Sequence, residues 1–250
     1  MTDRTAALAR KFAALAISLV LAACAMPQEP LDYQWIVHNP DRSDADRAID
    51  QRRQPEKLLE FYGVRPGMRV LDLSAGRGYN TELLARVVGP NGRVYAQNSP
   101  QILSGATKTA FEERLKKPPL ANTVSIVSEF DDPIPAEVRN LDLVTFNFNY
   151  HDTVNMGVDR ARLNAAVFRA LKPGGVYIVA DHSALAGSGT EATKSLHRID
   201  EALLRKEVEA AGFKLVTVGN FLRNPADPRN VPIFKNTVPN DEFVLKFVKP

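Results

Sequence analysis

Val70-Leu71-Asp72-Leu73-Ser74-Ala75-Gly76-Arg77-Gly78-Tyr79-Asn80-Thr81-Glu82-Leu83-Leu84-Ala85-Arg86-Val87-Val88-Gly89 is the stretch whose reading decides the fold. Val70 to Leu73 alternate as a short buried strand does, and carry one carboxylate, Asp72. Gly76 and Gly78 make a turn of small residues. Leu83, Leu84, Val87 and Val88 then recur at helical spacing, and Gly89 supplies a stop. The order is strand, glycine turn, helix. Such a turn needs glycine because the backbone bends tightly and lets a ligand approach where a Cβ would stand.

A dinucleotide fingerprint would read G-x-G-x-x-G and would rest a pyrophosphate on the helix N-terminus. Here the pattern is Asp72-x-Ser74-Ala75-Gly76-x-Gly78, with an acid inside the strand and no third glycine three residues on. A carboxylate at that point repels a pyrophosphate and suits a ligand bearing an ammonium or hydroxyls. The stretch resembles the first motif of the class I S-adenosylmethionine (SAM) methyltransferases, Asp/Glu-x-Gly-x-Gly-x-Gly. It departs from that form at Ser74, where the first glycine usually stands.

Leu171-Lys172-Pro173-Gly174-Gly175, running into the apolar strand Val176 to Ala180, is a second feature frequent in that family. The resemblance spans residues 43–250. It implies an α/β fold: a Rossmann-like seven-stranded sheet of order 3-2-1-4-5-7-6 with helices on both faces. A short-chain dehydrogenase would need Tyr-x-x-x-Lys. Tyr150 is followed four residues on by Val154, and Tyr95 by Ser99, so that chemistry is excluded.

By the same resemblance the cofactor is SAM, held by Asp72, Ser74, Ala75, Gly76 and Gly78. The family places an acid at the end of the second strand to hold the ribose hydroxyls, and Gln97 and Asn98 occupy that place here. Amides both donate and accept, so they either contact the ribose or simply begin the turn before Pro100. Near the adenine amino group the family sets another acid, for which Asp131 and Asp132 are the candidates; an Asx turn before Pro133 is the alternative.

The strand Leu141 to Asn147 continues into Phe148-Asn149-Tyr150-His151-Asp152. Ligands of doubly wound sheets lie beyond the carboxyl ends of the strands, which brings Asn147 and its successors to the cofactor's methyl group. His151 has the ordinary pKa suited to taking a proton at neutral pH. It is the candidate general base, oriented by Asp152, with Tyr150 and His182 shaping the acceptor pocket. A His-Asp pair that only caps the next helix is the competing explanation. His151, His182 and His197, with Asp152, Asp181 and Asp200, all fall in loops near strand ends, but their spacing matches no metal-ligand motif, so no metal is expected.

Residues 1–23 read as a leader. Arg4, Arg10 and Lys11 precede the apolar run Phe12 to Ala23, which is interrupted only by Ser18. That run is shorter than the roughly 20 residues of a membrane-spanning helix and fits a secretory signal. Leu21-Ala22-Ala23-Cys24 resembles a bacterial lipobox, with Cys24, the only cysteine, as the lipidated residue. The expected product is an exported lipoprotein on the periplasmic face, with residues 24–42 a tether and 43–250 the methyltransferase domain. A cleaved signal with a chance cysteine is the alternative.

The whole chain carries +3, and the leader holds three of its 32 Lys/Arg and one of its 29 Asp/Glu. What remains is nearly neutral and gives no case for nucleic acid. Further expectations are a single charged helix over Asp44 to Tyr62, a helix over Ile102 to Lys117, a flexible Gly187-Ser188-Gly189 lid, and a final pair of strands at Phe213 to Val218 and Glu242 to Val248. The acceptor is expected to be a small molecule, methylated on oxygen or nitrogen. A lipid-anchored binding protein that keeps the fold without catalysis is the other class of function the sequence admits.

Overall fold

The computed structural model describes residues 31–250; Cys24 and the leader lie outside them. In chain order the elements are α1 (Gln34–Val37), α2 (Asp44–Arg53), α3 (Pro55–Tyr62), β1 (Arg69–Leu73), α4 (Tyr79–Val88), β2 (Arg93–Asn98), α5 (Gly105–Leu115), β3 (Thr123–Val127), β4 (Leu141–Asn147), α6 (Tyr150–Asn155), α7 (Arg160–Ala170), β5 (Leu171–His182), α8 (Thr193–Leu196), α9 (Glu201–Ala210), β6 (Lys214–Gly219) and β7 (Glu242–Val248). The strands form one sheet of order β3-β2-β1-β4-β5-β7-β6, as expected. β7 runs antiparallel between β5 and β6, and the other pairings are parallel.

Period-two alternation sorts the sheet into two cores. Leu71, Leu73, Val144, Phe146, Tyr177 and Val179 point to one face, where Leu163 and Val167 of α7 and Leu204 and Val208 of α9 cover them. Val70, Val94, Leu143, Ile178 and Val244 point to the other, under Leu83, Leu84, Val87 and Val88 of α4 and Leu58 and Leu59 of α3. At roughly 1.5–3 kcal/mol for each large apolar side chain buried, these two layers are the main stabilising term. Between β3 and β4 no helix forms; Phe130, Ile134 and Val138 of the connection enter the core directly.

Leu73 pairs with both Gln97 of β2 and Phe146 of β4, so the carboxyl ends of the three central strands lie level. That edge is where the site forms. Two expectations fail nearby. The helix over Asp44 to Tyr62 is broken at Gln54, which takes the left-handed conformation (φ 45°). Pro55 explains the break: it has no N–H to continue the ladder and disfavours helical geometry in the residue before it. The tether ends earlier than expected. Ile36 and Val37 of α1 are buried in the core, and Arg42 is buried against Asp50, so part of residues 24–42 belongs to the folded domain.

Candidate active site

β1 ends in a turn that needs positive φ at three places: Ser74 (60°), Gly76 (57°) and Gly78 (81°). This explains why glycine is usual at the first position, and it makes Ser74 a residue under backbone strain. Two bonds hold it there. Its N–H donates to Gln97 Oε1 at 3.2 Å and its Oγ donates to Asn149 Oδ1 at 2.8 Å. A Cβ at Gly76 would meet nothing within 4 Å, whereas one at Gly78 would come within 2.9 Å of Arg114 Cδ. Gly76 therefore faces open space and Gly78 faces packing.

That open space is a cavity of about 320 Å³, lined by Arg53, Asp72, Ser74, Ala75, Gly76, Tyr79, Asn147, Phe148 and Asn149 among others. Its size falls at the lower end of small-molecule sites. A larger cleft of about 500 Å³, lined by Asp132, Arg139 and Arg169, contains none of the turn residues. Asp72 is buried and accepts from Thr81 Oγ1 (2.6 Å), Asn80 Nδ2 (2.7 Å) and Thr145 Oγ1 (3.1 Å). Burial raises its pKa, and these donors work in the opposite direction.

Across from the glycine turn stands Arg53, the last residue of α2, which the sequence marked only as part of a charged helix. Its guanidinium stacks on the Phe148 ring, 3.3 Å from the centroid. Nη1 is buried with no hydrogen-bond partner among the described residues. Burial lowers its pKa to about 10, with the charge of Glu242 opposing, so it remains a cation at neutral pH. The helix that carries it is tied down at several points. Arg42 bonds Asp50 through both nitrogens (2.6 and 2.9 Å), Tyr79 Oη donates to Asp50 (2.6 Å), and Arg114 bonds Asp46 (2.8 Å). Phe148 itself takes φ 58° to turn its ring toward the cavity.

The other candidate residues divide. Asn147 lines the cavity, donates to Tyr62 Oη (2.9 Å), and has a buried Oδ1 without a partner among the described residues. Gln97 and Asn98 are fully buried and do not line it. Gln97 donates to Ser128 O (2.8 Å) besides accepting from Ser74; Asn98 Oδ1 accepts from Gly76 N (2.7 Å). Their amides shape the glycine turn, which is a correction to the ribose role. Asp131 accepts from Asp159 N (2.6 Å) and Asp132 sits 3.6 Å from Arg169, so neither reaches the cavity.

The catalytic candidates are corrected too. His151 is buried, with Nδ1 2.7 Å from Asp181 Oδ1 and Nε2 3.3 Å from Asp152 Oδ1. Burial lowers its pKa, but the Asp181 charge and the Asp152 bond more than offset this and raise it to about 10. An imidazolium enclosed by two carboxylates is not a general base at neutral pH. Tyr150 points into the core, its Oη donating to Glu207 (2.8 Å) and accepting from Asn164 (2.9 Å), and takes no part in an acceptor pocket. His182 lies behind Phe148, with ring centroids 5.4 Å apart. The proposed lid is pinned: Gly187 N and Gly189 N both donate to Asp200 Oδ2, at 2.7 and 3.3 Å.

Residues 65–215, more than half the chain and containing the glycine turn and strands β1 to β5, match the family model described as a methyltransferase domain. The chain belongs to that family. Among curated relatives, this methyltransferase is similar to the ubiquinone/menaquinone biosynthesis C-methyltransferase of Shewanella pealeana: 27% identical over 170 residues, covering 68% of this chain and 59% of that one. With the Proteus mirabilis protein of the same description it shares 30% identity over 125 residues, covering 50% and 47%. It thus spans about 59% of the length of the Shewanella relative. Among solved structures, a SAM-dependent methyltransferase from Aquifex aeolicus aligns with TM-score 0.57 at 20% identity, covering 82% of this chain and 97% of that one. The [4+2]-cyclase SpnF aligns with TM-score 0.59 at 17% identity, covering 82% of each. At such identities the structures establish the shared fold, and the cyclase is a reminder that fold alone does not select the reaction.

Proposed function

We propose that this methyltransferase takes its methyl group from SAM, bound in the cavity at the end of β1, and delivers it to a small-molecule acceptor. The observation that carries the reading is the pair of opposite charges in one cavity, Asp72 on the glycine-turn side and Arg53 opposite. An amino-acid head group carries an ammonium and a carboxylate, and these two side chains complement it. The unpartnered Arg53 Nη1 supplies a charge-assisted donor for the carboxylate, and an ammonium beside Asp72 restores the charge that burial disfavours. The Ser74 to Gly78 backbone leaves room for the nucleoside at Gly76.

When bound, SAM supplies a methyl group already activated on a sulfonium centre. What is then asked of the protein is alignment and exclusion of water. Phe148 and Asn147 wall the end of the cavity where β4 stops, and Arg53 holds Phe148 by stacking on its ring. The nucleophile is proposed to be oxygen or nitrogen. The C-methyltransferase description of the curated relatives favours carbon as the second reading. Incubation of the full chain with methyl-labelled SAM and hydroxyl-, amino- or quinol-bearing small molecules tests it. Label on one class of acceptor supports the reading; label on none, with SAM bound, leaves the site a binding site and overturns transfer.

Export and lipid anchoring through Cys24 remain part of the proposal, on the strength of the leader and lipobox in the sequence. Palmitate labelling lost in Cys24→Ser supports it, and equal labelling of both forms contradicts it.

A further inference from the structure

Behind Phe148, three side chains from two segments converge on one point. Asp152 Oδ1 lies 3.3 Å from His151 Nε2 and 3.2 Å from His197 Nδ1, and one donor atom from each residue lies within 4.8 Å of the others. We propose that His151, Asp152 and His197 form a binding site for a divalent transition-metal ion of the zinc class. The sequence spacing gave no sign of it, because His197 comes from the loop between α8 and α9, which the fold lays beside α6.

The donor set and its geometry support this. Two imidazole nitrogens and one carboxylate oxygen are borderline ligands suited to zinc, cobalt or iron rather than to calcium or magnesium. Around a tetrahedral ion with bonds of about 2.0–2.1 Å, neighbouring donors stand about 3.3 Å apart, which is the spacing of Asp152 Oδ1 to each ring. His151 is oriented from behind by Asp181, whose Oδ1 holds Nδ1 at 2.7 Å and so turns Nε2 toward the cluster, where a bound ion takes the place of the Nε2 proton. A carboxylate behind a ligating histidine fixes its tautomer and raises its basicity. Asn149 Nδ2 donates to Asp152 Oδ2 at 2.9 Å, leaving Oδ1 to face the two rings.

His197 is held as firmly. It takes a left-handed backbone (φ 54°), uncommon for a residue with a side chain. The next residue, Arg198, is fully buried, bonded to Asp227, Ser183 O and Val231 O, and fixes the segment from which the ring projects. His151 is buried, whereas Asp152 and His197 are part-exposed, so an ion could enter from solvent. Three protein donors leave a fourth position for water or a substrate atom, the pattern of a reactive rather than a closed structural centre. Binding of the ion stands independently of the SAM reading. None of the three donors lines the SAM cavity, so the ion is assigned no part in methyl transfer.

The test is cobalt titration of the full chain after stripping with a chelator, read by visible absorption, with SAM affinity measured on the same samples. One equivalent of Co²⁺ should bind with the spectrum of a low-coordinate site. His197→Ala, at a part-exposed position, should weaken that binding by about a hundred-fold or more, beyond the range lost with an outer-shell partner. His197→Cys should restore it with a new sulfur-to-cobalt charge-transfer band, and His38→Ala should leave it unchanged. Equal cobalt binding in wild type and His197→Ala, or no charge-transfer band from His197→Cys, overturns the site even if SAM binds. Cobalt bound in a sample that does not bind SAM upholds the site and leaves the SAM reading to fail on its own.

Discussion

Ser74 Oγ donates a 2.8 Å hydrogen bond to Asn149 Oδ1, and Asn149 Nδ2 donates in turn to Asp152 at 2.9 Å. One amide thus ties the glycine turn after β1 to the histidine cluster after β4. The residue that departs from the family's first motif is therefore the one that makes this connection, which glycine could not.

Ser74 carries two opposing terms. A left-handed backbone costs a residue with a Cβ roughly 1–2 kcal/mol, and its hydroxyl bond returns about 1 kcal/mol. Ser74→Gly should leave the unfolding free energy within about 1 kcal/mol of wild type. Ser74→Val, branched at Cβ and without the hydroxyl, should lose about 2 kcal/mol or more. Urea unfolding of the two variants checks the contrast, and equal losses would contradict it.

His151→Ala should act on folding before chemistry. It strips the fully buried Asp181 of its charged partner and removes one of the two imidazoles beside Asp152. Breaking a buried pair by removing one partner costs about 3–5 kcal/mol, so the variant should unfold at much lower denaturant or fail to accumulate. A stable variant with normal SAM affinity and no turnover would return His151 to the role of base.

Acid should destabilise the domain through a cluster joining α2, α4 and α5. Burial works against ionisation of Asp46 and Glu82, but Arg114 at 2.8 Å from Asp46, with Arg86 and Lys117 at 2.7 and 3.0 Å from Glu82, hold both carboxyls below their usual range. Lowered folded values mean that this stabilisation is complete above the ordinary carboxylate pKa of about 4 and is lost as pH falls through the folded values. Unfolding free energy measured from pH 7 down to 3 should drop most steeply below about pH 4. Arg114→Met should flatten that slope without abolishing it, because Asp227 is also held low: burial opposes, while the N–H groups of Asp241 and Arg229 and the Arg198 guanidinium prevail.

Much of this architecture could be read from local signals. The β1 turn and the Lys172-Pro-Gly-Gly entry to β5 are contiguous patterns, and the family resemblance they carry implied the strand order found. What escaped was set by partners far apart in sequence. His151 looked like a free base because Asp181, its partner 30 residues on, was unpaired in the one-dimensional reading. Gln97 and Asn98 stood at the ribose position, yet their amides turn back to Ser74 and Gly76. The strongest available local signal that was not used was Gln54-Pro55. A proline there ends α2 at Arg53 rather than at Tyr62, the end expected from the charge pattern, and the terminus so created places Arg53 at the cavity.

The central claim is that the cavity recognises an amino-acid head group through Arg53 and Asp72. The most direct measurement is calorimetric titration of the full chain with two ligands that share the nucleoside, S-adenosylhomocysteine and 5′-methylthioadenosine, the second lacking the amino acid. Wild type should bind the first more tightly. Arg53→Met should weaken it by about 1.5–3 kcal/mol, the worth of a hydrogen bond to a charged group, while leaving the second unchanged. Equal affinities for both ligands, or a variant that weakens both alike, would contradict the assignment of Arg53 to the carboxylate.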